Sequence, residues 1–200
     1  MSQLIEQGGW VFGGIALLSL GASGLIGWKW LQIRSHSARS FVWADDAVRR
    51  VRAGDHTGAL AVAREHPDLV GRFVSTGLES ADPRRFFMPR HLDPFLRGES
   101  ADLRRHLGLI AVLGSLAPLL GLLGTILGMV QTFSAITLHG TRDAGLIADG
   151  VSQALVTTQA GLVTALPILV LHGWLVSRAR HCVETARLYG KKIETALCHG

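Results

Sequence analysis

A run of thirty-two residues with no charged side chain, Leu107 to Leu138, limits what this chain can fold into. It reads LGLIAVLGSLAPLLGLLGTILGMVQTFSAITL. As a helix it would be about 48 Å long, against a bilayer hydrocarbon core of ~30 Å. A membrane span with helix left over at one end is the expectation. Its small residues are ordered. Gly114, Pro118, Gly121, Thr125, Gly128, Thr132 and Ala135 follow one another at spacings of 4, 3, 4, 3, 4 and 3. Such a heptad seam lies on one helix face. In lipid, small residues on one face let another backbone approach closely, and that packing drives association. The seam is therefore expected to hold copies of the chain together, with Leu, Ile and Val turned to lipid.

Two more apolar runs flank this one. Gly150 to Ser177 carries a second seam, Gly150, Ala154, Thr158, Gly161, Ala165, Ile168 and His172. Pro118 and Pro167 should each kink their helix. Trp10 to Trp28 has Trp residues at its ends, suited to membrane interfaces, and Gly13, Gly14, Gly21, Gly24 and Gly27 suggest another closely packing helix. Positive charges follow this run rather than precede it, so it reads as an uncleaved span.

The charge balance fixes an expected orientation. Within about 20 residues of the span ends, where the positive-inside rule operates, Lys and Arg number 12 on one side and 1 on the other. The N-terminus is then outside and the C-terminus inside. This topology accounts for the net charge of +5 without a nucleic-acid partner. Cys182 and Cys198 would be reduced thiols on the inner side, and no Cys/His spacing suggests a metal.

The resulting fold class is an all-α polytopic membrane protein with three transmembrane helices, N-out and C-in. Residues 1–33 hold the outer N-terminus and first span, and 34–106 form a helical cytoplasmic domain. The second span is 107–138, an outer loop with Arg142 and Asp143 is 139–149, the third span is 150–177, and 178–200 is a basic cytoplasmic tail. Within the cytoplasmic domain, a helix from Ser40 to Arg52 is expected to end at Gly54. Asp55 should cap a short helical run, Asp68 to Ser80 is a third weakly amphipathic stretch, and Pro89 and Pro94 should break the chain. Ser100 or Asp102 is the expected N-cap of the central span.

The spans contain no Asp, Glu, Lys or Arg, and only His172 could titrate inside them. Proton relays across membranes normally use titratable groups. Hydroxyls are plentiful, and Thr125, Thr132 and Thr158 lie on the seams. A chain of this kind can line a proton path only if another chain supplies the carboxylate. The hydroxyls are then expected to donate to that carboxylate in its charged form. No nucleophile with its base and acid is visible in the spans, so an enzyme is not expected.

Two segments, APLLGLLGTILGMVQTF (Ala117 to Phe133) and GVSQALVTTQAGLVTALP (Gly150 to Pro167), resemble the signature spans of the ExbB/TolQ/MotA proton-channel family, with the ExbB branch nearest. The resemblance implies a bacterial inner-membrane protein without cofactors, transporting protons as a homopentamer in contact with membrane lipid. It implies a single-span ExbD- or TolR-like partner that supplies an aspartate, and a TonB-like protein that uses the energy for outer-membrane import. By motif, the pore threonines fall on Thr125 and Thr158. Pore-lining residues are then Thr125, Thr158, Thr132 and Gln153, and the packing seam is Gly114, Pro118, Gly121, Gly128, Ala154, Gly161 and Ala165. Many family sequences have Glu where this chain has Gln153. A TolQ-like role in an envelope system and a non-conducting membrane scaffold are the alternatives. Four-span MotA fits three spans poorly.

Overall fold

The computed structural model describes residues 2–36, 42–80, 82–139 and 144–199, and these are helical apart from short turns. The order is α1 (Ser2–His36), α2 (Val42–Arg52), α3 (His56–Arg64), α4 (Leu69–Glu79), α5 (Pro83–Phe87), α6 (Pro89–Arg104), α7 (Leu107–His139) and α8 (Ala144–His199). Three helices are long and apolar enough to cross a membrane. Arg142, Asp143 and Ser40 lie outside the described residues, as do the side chains of Trp10 and Ala135. The chain divides into two compact units, Met1–Trp28 with His106–Trp174, and Lys29–Arg105 with Leu175–Gly200.

In the first unit, α7 and α8 each run unbroken through their prolines, Pro118 and Pro167. The third apolar helix runs from Ala144 to His199. Leu119, Leu122, Ile126, Val130 and Phe133 of α7 are exposed, as are Leu162, Leu166 and Val170 of α8. The part of α1 in this unit has Val11, Ile15 and Ala22 as its buried positions among the described side chains. The α1 glycines do not pack as expected. A Cβ added at Gly13, Gly14, Gly21, Gly24 or Gly27 would meet nothing within 4 Å. The first helix buries Val11 and Ile15, leaves Leu17 and Leu20 exposed, and leaves open space at its glycines.

The second unit is built on an aqueous pattern. α2 buries Ala44, Ala47, Val48 and Val51 on one face, while Arg49 and Arg50 pair with Asp46 at 2.9 Å on the other. Gly54, at φ +78°, ends it in the left-handed region that glycine enters most easily. Asp55 and Asp68 cap α3 and α4, accepting from the Gly58 and Gly71 N–H groups at 2.8 Å. Phe73 meets Phe87 edge-on with centroids 5.5 Å apart, and Phe86 and Phe95 complete the cluster. The far half of α8 buries Ala179, Cys182, Ala186, Tyr189 and Ile193. Its Gly190 lies against Phe73 and Leu92, and Arg187–Asp93 (3.0 Å) and Lys192–Asp45 (2.8 Å) add ion pairs.

Pro89 stands at the break that follows α5 and opens α6, because the first helical turn needs no N–H bond there. Two local expectations give way here. Pro94 sits inside α6, which continues past it. Neither Ser100 nor Asp102 caps the central span, since both belong to α6. The break falls at His106, whose φ of +68° turns the chain into α7. The Asp102 carbonyl instead accepts from the ammonium of Lys29 at 3.2 Å. Lys29, counted above among the flanking charges, is buried and also donates to Gln32 at 2.8 Å.

Asp68 offers a test of this unit. Burial pushes its carboxyl above the ordinary value, opposed by the bond from Gly71 N–H. A raised carboxyl favours the folded state below its ordinary pKa, and that contribution fades as pH rises through the folded value. Asp68→Asn keeps an acceptor and removes the buried charge, so its stability should match or exceed wild type at neutral pH. Asp68→Ala loses the cap and should cost ~0.5–2 kcal/mol. Thermal unfolding of the purified protein between acid and neutral pH checks both, and equal loss in the two variants would show that the cap bond is immaterial.

Candidate functional site

The seams of α7 and α8 meet each other within the chain. A Cβ at Gly161 would lie 2.6 Å from the Ala117 carbonyl oxygen and 3.1 Å from Gly121 Cα. A Cβ at Gly121 would lie 3.0 Å from Thr158 Cα. Here backbone touches backbone, and no side chain can move aside. On one side of this crossing Gly128 faces Ala154, and on the other Gly114 faces Ile168 and Leu169. Ala165 is also buried. These small-residue faces of α7 and α8 lie against each other within the chain.

The contact line is also rotated from the expected one. Ala117 and Gly124 are buried, while Pro118 and Thr125 are only half-buried. A 3–4 alternation from Gly114 to Gly128 can pass through either pair. The smaller residues win because the backbones approach so closely. Choosing the smaller residue at each fork would have found Ala117 and Gly124 in the sequence. On α8, Thr157 is buried against Gly124 and Thr158 is half-buried. No difference in size separates these two threonines, so the sequence carried no signal for that choice.

Each hydroxyl proton at this site has a carbonyl to go to. Thr125 donates to Leu122 O at 2.6 Å, Thr132 to Gly128 O at 2.8 Å, and Thr157 to Ala154 O at 2.7 Å, all within their own helices. Thr158 differs. It donates across the helix pair to Gly121 O at 3.0 Å. Thr132 is buried under Gly150. Gln153 is half-buried and makes no hydrogen bond among the described residues. The half-buried Thr125 and Thr158 thus flank the closest approach, each with its proton engaged and its oxygen lone pairs open.

Residues 65–187 match the MotA/TolQ/ExbB proton channel family. The chain belongs to this family. It is 30% identical over 187 residues to the ExbB-like 1 biopolymer transport protein of Synechocystis sp., covering 90% of this chain and 71% of the relative. It is 28% identical over 115 residues to the biopolymer transport protein ExbB of Pseudomonas putida (58% and 35% covered). With the ExbB protein of Aquifex aeolicus it shares 39% identity over 79 residues (40% and 53%). The matched stretch contains both α7 and the apolar part of α8, and the chain is a multi-pass membrane protein of this transport family.

The crossing can be tested by overfilling it. Gly161→Ala should lower stability by at least the ~1–3 kcal/mol typical of overpacking, because the clash is with backbone. Gly173→Ala on the same helix meets nothing within 4 Å and should be close to neutral. Thermal unfolding in detergent reads the difference. Equal melting of the two variants would mean that α7 and α8 do not touch at Gly161.

Proposed function

We propose that this chain is an ExbB-like subunit of a proton-conducting motor in the bacterial inner membrane. It forms the stationary sleeve, and a single-span ExbD-like partner brings the titrating carboxylate. The motor then passes the proton motive force to a TonB-like protein for outer-membrane import. What carries this reading is one pairing of observations. The apolar stretches of α7 and α8 hold no Asp, Glu, Lys or Arg, yet Thr125 and Thr158 stand half-buried beside the tightest contact. The ExbB names of the relatives favour this branch over a TolQ-like one. A homopentamer remains the proposed assembly, and its contacts must use faces other than the α7–α8 seam, which is already filled.

The hydrogen bonds reverse the expected direction of the threonine effect. A hydroxyl that gives its proton to a carbonyl can only accept from a third group. Facing a carboxyl, it favours the protonated form, which donates, over the ionised form, which does not. Hydrogen bonding to the neutral form raises an acid's pKa. Thr158→Val should therefore lower the partner carboxyl's pKa and slow proton capture, and Thr158→Ser should preserve both. Proton flux into proteoliposomes holding both chains, measured against pH, checks this. A profile moved to higher pH would reinstate the threonine as donor to the ionised acid. An unmoved profile with full flux would leave Thr158 only a packing role.

The proposed orientation, N-out and C-in, has its own test. Cys198 is exposed and Cys182 buried. A membrane-impermeant maleimide should leave intact cells unlabelled, reach Cys198 after permeabilisation, and reach Cys182 only after denaturation. Labelling of Cys198 in intact cells would invert the topology.

A further inference from the structure

The second unit contains a cleft that proton conduction does not use. It has a volume of about 570 Å³ and lies between α6 and the far half of α8. α6 contributes Arg97, Ser100 and Arg104, and α8 contributes Arg180, Glu184 and Arg187. The spacings, 3 and 4 on α6 and 4 and 3 on α8, put each trio on one helix face. Two basic faces thus converge on one space.

Arg187 is neutralised by Asp93 at 3.0 Å. Arg97, Arg104 and Arg180 form no ion pair among the described residues. The Ser100 hydroxyl makes no hydrogen bond among them either. Glu184 is the single carboxylate of the lining and bonds to none of the arginines. Unpaired guanidiniums around one space repel each other unless an anion sits between them. Their planar forks match phosphate oxygens two at a time, which a point charge such as lysine does not.

The rest of the lining is apolar, including Leu96 and Val183. Inorganic phosphate gains nothing from such a wall, whereas a glyceride does. The chain position agrees. Arg104 comes three residues before Leu107, where α7 begins, and Arg180 three residues after Ser177, where the apolar stretch of α8 ends. Basic residues so close to span ends lie where anionic headgroups attract them. We propose that this cleft binds the phosphate headgroup of an anionic phospholipid, held by Arg97, Arg104 and Arg180 with Ser100 as a further donor. The proposal rests on α7 and α8 spanning the membrane and is independent of proton conduction.

The test uses the full chain purified in non-ionic detergent. Dioleoylphosphatidylglycerol and dioleoylphosphatidylcholine are offered in turn, and lipid retained on the protein is read by native mass spectrometry. Wild type should retain the anionic lipid preferentially. Arg104→Gln combined with Arg180→Gln should reduce that retention about tenfold or more. Arg84→Gln combined with Arg85→Gln removes the same charge from α5, outside the cleft, and should leave retention unchanged. Glu184→Gln removes the opposing charge and should raise retention about two- to threefold, a gain that misfolding cannot imitate. Equal retention of the two lipids would overturn the proposal, as would equal losses in the two double variants. Displacement of the lipid by millimolar inorganic phosphate would mark a soluble-anion site instead. Loss of the oligomer together with the lipid in the cleft variant would mark a contact between copies.

Discussion

The candidate site in the first unit depends on two glycines, Gly121 and Gly161, being able to place backbone against backbone. Between helices in lipid there is no hydrophobic drive, because a lipid tail is as apolar as a leucine. Close packing and hydrogen bonds must supply the attraction. The glycines bring α8 near enough for Thr158 to donate to the Gly121 carbonyl at 3.0 Å. The same approach displaces the bulkier Pro118 and Thr125 to the edge of the contact. A site with two half-buried hydroxyls is thus a consequence of where side chains are missing.

The second unit packs the same continuous helix by another driving force. Up to Trp174, α8 buries Ala154, Gly161, Ala165 and Ile168. From Leu175 onward it buries Leu175, Cys182, Tyr189 and Ile193 interleaved with Ala179 and Ala186, an apolar set of mixed size that water drives together. Gly190 admits Phe73 and Leu92 into contact with the helix.

The features legible in the sequence are those set by neighbours along the chain. Uncharged length gave the three apolar helices, Asp55 announced its cap, and Gly54 the end of its helix. Periodicity also found a packing face, but a face does not name its partner. That is why the seam expected between copies turns out to be filled inside one chain, and why the α1 glycines, equally suggestive, meet nothing. Pro94 and the expected cap at Ser100 or Asp102 fail for a related reason. A proline's tolerance and a histidine at φ +68° are decided by surrounding contacts, not by propensity.

The threonines show most clearly how geometry refines chemistry that composition only permits. Residue type says that Thr125 and Thr158 can donate or accept. The carbonyls of Leu122 and Gly121 take the donor role and leave the acceptor role. A wall that offers lone pairs attracts proton donors, whether water or a protonated acid, and gives an anion nothing. Gln153, half-buried and uncharged, adds no fixed charge to it. Such a sleeve can favour a neutral acid in transit while carrying no ion of its own. A fixed carboxylate there would need its own counter-charge or proton, since desolvating it alone is costly. In the proposed motor, an uncharged sleeve avoids that requirement and leaves the titrating group to the partner's helix.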